Sequence, residues 1–420
     1  MERFLSYDVV VVGGGSAGIA AAIGASQAGA KTILIERNPY FGGQVTHSNV
    51  AAYCGFFTHG KNPKQIVGGV GNMVLEKLKE LGDYDGFKLS PAGNAIVVLN
   101  PETVKVALDE LLTKSDVDIL LHSQVIDVTK EDSKIKSIEC VDDVGRFTVE
   151  GKMFVDATGD ANLAYLANVE TVFGDGNGFS QASTLMLRID HIPESVSLNP
   201  SILKEAINAA KADGMKYLTK ESGIVLRKDS STDYAFAILP SIRVDALDAQ
   251  TLTNTEINLR RQAQDYIKAF RKYIIGMEKC TLVQTGPKVG IRESRRIVGE
   301  YTLTVDDVVN SIKNECTIAR GGWPIERHRD PNKMADYIHL GDDDFYDIPI
   351  GMIKPKASTN LWCGGRTVSA DSIAFASVRV MGTSFATGHA AGVAAALTID
   401  KEIYNVKEIQ EELIRQGAII

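Results

Sequence analysis

Two apolar textures alternate along this chain. Short unbroken runs, such as Val9–Val12 and the "TILI" of 32–35, are bounded by charge or glycine, and runs of that length read as strands buried on both faces. Between them, residues 16–27 are almost all small and apolar, which suits a helix packed on every side. Residues 8–36 are therefore predicted to form a strand, a tight turn, a helix and a second, parallel strand. The strand-then-turn pattern recurs at "FVDATGDANLAYLA" (154–167) and at "NLWCGGR" (360–366), the latter followed by a small-residue helix through "RVMGTSFATGHAAGVAAAL" (379–397). The middle of the chain differs. Turn chemistry in "GNGFSQAS" leads into a strand at "TLMLRIDHIP", and residues 202–218 and 252–275 show helical periodicity. The second of these is polar along one face, where Arg260, Arg261, Lys268, Arg271 and Lys272 read as a solvated surface. No internal repeat or low-complexity linker interrupts the pattern. The expected class is α/β: a discontinuous domain (1–175 and 346–420) built on a parallel sheet with flanking helices, and an inserted α+β substrate or cap domain (176–345).

The turn after the valine strand reads Gly13-x-Gly15-x-x-Gly18. Gly13 permits the turn, Gly15 lets the backbone approach a pyrophosphate, and Gly18 lets the helix pack closely. Ser16 and Ala17 open that helix, whose free N–H groups and positive dipole end favour phosphate. Glu36, closing the second strand, is placed to accept hydrogen bonds from ribose hydroxyls. The unit is a Rossmann-like dinucleotide site, and these residues alone do not separate FAD from a nicotinamide.

Composition narrows the partners. The 420 residues are 44% hydrophobic and 23% charged, ordinary for a soluble globular protein with more than one domain. A formal charge of -8, with basic residues in short clusters rather than a stripe, argues against nucleic acid as a partner. Five cysteines, widely spaced and without a C-x-x-C pair, read as reduced thiols and a cytoplasmic protein. No signal-peptide run precedes the first glycines, and the apolar segment 373–397 is broken by Arg379 and His389, so no membrane span is expected. His47, Cys54 and His59, in "GGQVTHSNVAAYCGFFTHG" (42–60), match no common zinc spacing, so no metal is expected. With no second cysteine beside Cys54, a disulfide redox centre is not expected either.

The continuation "ERNPYFGGQVTHS" (36–48) resembles the FAD-dependent oxidoreductases of the glutathione-reductase-like superfamily, in which a Gly-Gly loop passes over the flavin side of the cofactor. Residues 154–167 resemble that superfamily's second fingerprint, and residues 360–397 its third. A closer resemblance is to the subgroup related to succinate dehydrogenase and fumarate reductase flavoproteins, carried by "GPKVGIRESRRIVGEYTLTVDDV" (286–308), "WPIERH" (323–328) and "RVMGTSFATGHAAG" (379–392). That subgroup has Gly-Arg followed by Cys-Ile-Ser-Ala, and a helix with Gly-Gln-Ala-Ala-Gly. Here "GRTVSA" and "GHAAG" stand instead, so a common fold is implied and a common substrate is not. The resemblance implies FAD, held noncovalently, because the neighbours of the family's histidine attachment motif are not reproduced around His47. Beyond the glycine turn and Glu36, the implied cofactor residues are Arg37, Gly42, Gly43, Gln44 and Thr46 in the first fingerprint. Val125 joins them, with Ala157, Thr158, Gly159 and Asp160 in the second fingerprint. Gly365, Arg366, Arg379, Val380 and Met381 complete the set in the third. Backbone N–H groups around Val380–Thr383 are placed to stabilise charge at the N1/O2 edge of reduced flavin.

Flavin carries the electron chemistry, so the protein must hold a substrate, move a proton and neutralise charge. His47, in the loop beside the ring, is the expected general acid or base; its other reading is a histidine bonded to backbone or cofactor. Arg292, clustered with Arg295, Arg296, Glu293 and Glu300, is the expected carboxylate clamp, with an ion-pair network as the alternative. His328, grouped with Arg320, Arg327, Arg329 and Trp323, suits a pocket for a polar or anionic substrate. No second G-x-G-x-x-G follows a strand, so electrons are expected to pass to or from something other than stably docked NAD(P)H. The function expected is oxidation or reduction of a small polar or anionic molecule at flavin N5. The alternatives are a flavin-carrying electron-transfer subunit and, against the acidic balance, a tRNA-modifying flavoprotein. Dimers are common in the superfamily, and a homodimer is compatible with this reading.

Overall fold

The computed structural model describes residues 3–90, 92–227 and 232–420. Strand β1 (Arg3–Val12) lies parallel to β2 (Thr32–Ile35), and helix α1 (Ser16–Gln27) joins them. Val9–Val12 are all buried, as a sheet covered on both faces requires. The other side of β1 pairs in parallel with the long strand Gly145–Asp156. Across the sheet the order is Val117–Leu120, β2, β1, Gly145–Asp156, Lys134–Asp142 and Gln124–Glu131. Gly145–Asp156 is shared between two pairings: residues 145–150 run antiparallel to Lys134–Asp142, whereas 154–156 run parallel to Leu361–Cys363. One strand thus joins a parallel nucleotide-type sheet, an antiparallel meander and a late segment of the chain.

The helix Met381–Leu397 lies directly against α1. A Cβ on Gly388 would sit 2.1 Å from the Ala17 carbonyl oxygen, and one on Gly392 would sit 2.0 Å from that of Ala21. The small residues predicted to keep this helix thin therefore bring two helix backbones together.

The insert has its own core. Its antiparallel sheet runs in the order Ile224–Leu226, Ala235–Ile242, Ser183–Asp190 and Thr281–Thr285. Leu187, Leu203, Ala263 and Phe270 join that sheet to helices Pro200–Ala212 and Ala249–Tyr273. Helix Pro200–Ala212 starts on Asn199, whose side chain accepts from the N–H groups of Ser201 and Ile202, with proline at its first position. It stops six residues short of the predicted 218 because Gly214, at φ 89°, takes the left-handed conformation that ends helices. Later within residues 176–345, Arg295–Ile297 pairs with Thr171–Phe173, and Leu303, Ile318 and Ile325 join the apolar core that holds α1 rather than the core of the antiparallel sheet. Among the described residues, no helix is long and apolar enough to cross a membrane.

Candidate active site

The carboxyl ends of β1, β2 and Gly145–Asp156 open onto a cavity of about 570 Å³, where ligands of open α/β sheets bind. Gly13, Gly15, Ser16 and Ala17 line it from the first turn, and Glu36, Arg37, Gly43, Gln44 and His47 line it from the following segment. Val125, Ala157, Thr158, Gly159 and Asp160 form the next wall, and Gly365, Arg366, Arg379 and Met381 the last. Gly18, Gly42, Thr46 and Val380 are not part of this surface. A Cβ on Gly18 would collide with the Gly13 carbonyl at 1.7 Å. The Gly42 N–H donates to the Gly14 carbonyl at 2.9 Å, and Thr46 Oγ1 donates to that of Phe41 at 2.7 Å, so both shape the loop from behind.

Each wall is held by its own sequence. Gly13, at φ 102°, has no room for a Cβ, which would lie 2.5 Å from the Ala157 carbonyl oxygen. Gly43, at φ 59°, brings its backbone against Gly15, where a Cβ would be 2.9 Å from the Gly15 Cα. Buried Glu36 accepts from the Gly14 N–H at 2.6 Å and from the Asn38 N–H at 2.9 Å. Asp156, fully buried, accepts from the N–H of Thr158 at 3.0 Å, its hydroxyl at 2.7 Å and the Ala164 N–H at 2.9 Å, which fixes the Ala157–Asp160 turn. Arg366 donates to the Gly159 carbonyl at 3.1 Å and to Asp160 Oδ1 at 3.2 Å. Arg295 donates to the Asp160 carbonyl at 3.0 Å and lies 4.2 Å over the Tyr165 ring.

His47 belongs to this cavity rather than to the other expected catalytic residues. Its ring stacks on Tyr40 at 4.6 Å, and its Nε2 is buried with no hydrogen-bond partner. Burial, with the charges of Lys288, Arg37 and Lys105, pushes its pKa down to about 3, so the imidazole is neutral at physiological pH.

Arg292 and His328 belong to a second, buried cluster of polar side chains, in which the Arg292 charge acts on His328. His328 Nε2 lies 3.1 Å from Glu326 Oε1, which also accepts from the Tyr337 hydroxyl at 3.0 Å. Glu326 and Tyr337 are directly paired across the hairpin of Ile325–Arg327 and Asp336–Ile338. Trp323 Nε1 donates to Glu326 Oε2 at 3.2 Å. Burial opposes ionisation of Glu326, yet the His328 hydrogen bond and the charges of Arg379 and Arg292 outweigh it and hold the carboxyl below its usual range. Burial and Arg292 push His328 down to about 3, leaving it neutral. Arg292 donates to the Ala182 carbonyl and Thr184 Oγ1, both at 2.6 Å, and has no carboxylate within ion-pair distance among the described residues. Arg379 joins the two sites: it lines the large cavity, donates to the Glu326 carbonyl at 3.2 Å, and keeps a buried Nε without a partner. Lys220, only 3% exposed, completes the group; burial and Arg292 bring its amine down to about 7.

The arginine run of 292–296 therefore divides. Arg292 joins the Glu326 cluster and Arg295 braces the Ala157–Asp160 turn. Arg296 forms a buried ion pair with Glu293 at 2.7 Å while donating to the carbonyls of Gly174 and Ala370. Of the second basic group, Arg320 donates to the carbonyl of Ile420 at 2.7 Å and Arg329 pairs with exposed Asp336. Cys54 has its thiol pushed up by burial and by Glu326, and His59 bonds Asn94 at 3.0 Å against the His339 ring. The sequence reading missed Glu326, although it lies inside "WPIERH"; the signal was its position in a hairpin opposite an aromatic hydroxyl. It also missed Lys220 and Lys288, for which no local pattern exists.

Residues 8–416 match the family described as FAD dependent oxidoreductase. The chain belongs to that family. This oxidoreductase is 26% identical over 210 residues to digeranylgeranylglycerophospholipid reductase 2 of Methanothermobacter thermautotrophicus, which covers 46% of the chain and 50% of the relative. The match thus spans about half the length of that curated relative. Its fold is similar to that of a geranylgeranyl bacteriochlorophyll reductase-like protein from Thermoplasma acidophilum, with a TM-score of 0.51 and 16% identity, over 98% of this chain and 84% of the other. It is also similar to that of Aquifex aeolicus GidA, with a TM-score of 0.51 and 14% identity, over 98% of this chain and 68% of the other. Both likenesses concern the fold. FAD is the family's cofactor, and the cavity fits it. Backbone lies bare at Gly13, Gly15 and Gly43, the α1 N-terminus faces in, and His47 Nε2 and Arg379 Nε are buried without partners.

Proposed function

We propose that this FAD-dependent oxidoreductase oxidises or reduces a small organic anion held between Arg292, Arg379 and Lys220, by hydride transfer at flavin N5. The electron partner is proposed to be something other than stably docked NAD(P)H. The observation that carries the reading is a charge imbalance: two guanidinium groups and a buried amine surround a single carboxylate, Glu326, which His328, Tyr337 and Trp323 already satisfy. Buried cations lacking counter-ions are costly, and an anionic ligand relieves that cost. FAD, when bound, supplies the two-electron exchange. Arg292 orients a carboxylate through its fork, with its other face fixed by the Ala182 carbonyl and Thr184. Burial and Arg292 hold His328 neutral against the opposing pull of Glu326, whose carboxylate bonds Nε2 and fixes one tautomer, so the other ring nitrogen is left to take or return a proton.

The two-core packing supports residues 176–345 as a substrate or cap region at least across its sheet, Ser183–Thr285; residues 228–231 lie outside the described structure. The segments 286–308, 323–328 and 379–392 support the proposed relation to the succinate dehydrogenase and fumarate reductase flavoproteins, and the missing neighbours of the histidine attachment motif around His47 support a noncovalent cofactor. An anaerobic screen that follows flavin bleaching tests the proposal. Small carboxylates or their oxidised counterparts are expected to change the flavin redox state, and Arg292→Met to raise the concentration required by about 10- to 100-fold. Bleaching by a partner protein and by no small molecule would instead make the chain an electron-transfer subunit.

A further inference from the structure

The large cavity carries a second unbalanced group, distinct from the Glu326 cluster. Lys288 and Arg37 both line it, and His47 beside them is neutral. Lys288 belongs to the segment that leaves the insert's strand Thr281–Thr285 and leads to Arg292, and it shares the cavity surface with Ser16 and Ala17 at the start of α1. Its backbone is pinned. The Lys288 N–H donates to the His47 carbonyl at 2.9 Å, the Val289 N–H to Glu256 Oε1 at 2.6 Å, and Gly290 exchanges two hydrogen bonds with Thr184 at 2.8 and 3.2 Å. Two residues earlier, Gly286 packs so closely on the Ser48 carbonyl that a Cβ would lie 2.7 Å from its oxygen. Among the described residues, the Lys288 amine has neither an ion-pair partner nor a hydrogen-bond acceptor. Burial and Arg37 lower its pKa, while the charges of Asp160 and Glu36, which line two different walls of the same cavity, raise it. Glu36 is the ribose-binding position and α1 the phosphate-binding helix of this fold, so the diphosphate runs past the α1 N-terminus in the cavity that Lys288 lines.

We propose that Lys288 is a cofactor-binding residue that contacts the pyrophosphate of FAD in the cavity it shares with the α1 N-terminus, with Arg37 as the second cation. FAD is then gripped by two parts of the chain far apart in sequence, and its retention depends on the position of the insert. This inference rests on the family's FAD assignment and on no assumption about substrate.

The test uses the full chain loaded with FAD, diluted to equilibrium, with free-flavin fluorescence giving the dissociation constant. Lys288→Met is expected to weaken FAD by about 10- to 100-fold and to flatten the salt dependence of binding. Lys288→Arg is expected to recover most of that loss. ADP, which carries the diphosphate without the flavin, should lose a similar factor when it competes with FAD, while adenosine should lose none. FAD and ADP constants within twofold of wild type in Lys288→Met would overturn the proposal, and so would an equal loss for adenosine, which would place the amine at the ribose. If Lys288→Met perturbs the fold by circular dichroism, Lys288→Gln carries the same test with a polar side chain. Failure of the wild-type chain to bind FAD would defeat the cofactor reading itself, a distinct result from a silent lysine.

Discussion

Replacing Gly388 by alanine sets two physical effects against each other. Helix propensity alone predicts that Gly388→Ala stabilises the protein by about 1 kcal/mol. The helix contact predicts the reverse. The added Cβ would lie 2.1 Å from the Ala17 oxygen and 2.4 Å from its Cα, whereas real Cβ contacts stay beyond 3.0 Å, so the helices must part by at least 0.9 Å. Overpacking of this kind costs roughly 1–3 kcal/mol, which cancels the gain and leaves a net loss of up to about 2 kcal/mol. Function should suffer as well, because Ala17 lines the cofactor cavity and the turn before it has no slack at Gly18. A displacement of about 1 Å at a positioned ligand group costs up to about 100-fold. Urea unfolding of the flavin-free protein and an FAD titration measure the two losses separately. The obstruction is backbone, so adding Ala17→Gly should not rescue either quantity. A variant as stable as wild type with unchanged FAD affinity, or full rescue by Ala17→Gly, would refute the reasoning.

Other outcomes follow from the buried charges. Lys220 titrates near pH 7 in the folded protein and near 10.5 unfolded, so wild-type stability falls as pH drops through that window and carries a constant penalty of about 5 kcal/mol at most below it. Lys220→Met should therefore unfold at higher urea than wild type at pH 6 and at the same urea at pH 11; equal gains at both would exclude the lysine as the cause. Arg296→Met strands Glu293, which is 3% exposed, and should cost about 3–5 kcal/mol in chemical denaturation, with much of the loss recovered in the double variant Arg296→Met/Glu293→Leu. Acid or urea denaturation followed by ultrafiltration should pass all yellow colour through the membrane; flavin retained on the chain would show a covalent link.

The cofactor cradle was legible because its rules are local. Val9–Val12, the three glycines and Glu36 all belong to one β-α-β unit, and the structure places Val12, Gly13, Gly15 and Glu36 on one cavity with Gly18 packed behind the turn. Helix ends were less legible: the extension from 213 to 218 failed on a single glycine whose backbone angle periodicity does not encode. The buried cluster around Glu326 was the least legible part. Arg292 and His328 were visible as chemistry, but their meeting depends on the insert's edge at Ala182–Thr184 and a hairpin that brings Tyr337 to Glu326. His47 drew attention for its position beside Gly-Gly, yet its direction was set by Tyr40, a stacking partner that sequence spacing does not disclose. Lys220 and Lys288 gain meaning only from burial and from having no acid at ion-pair distance among the described residues, properties of the fold rather than of their neighbours in the chain.

The contact between α1 and the helix Met381–Leu397 also orders events during synthesis. β1 and α1 leave the ribosome early, but the backbone surface that receives Ala17 and Ala21 does not exist until residues 388–392 have been made. At about 5–20 residues per second, the valine strand and the apolar helix wait roughly 20–70 s without their final cover. A chain in this state presents an unfinished sheet edge and the apolar surface of the nucleotide unit to its surroundings, so holding chaperones should act on it during that interval. FAD loading is then a closing event in the life of the chain: the cradle whose sequence is written first is completed last.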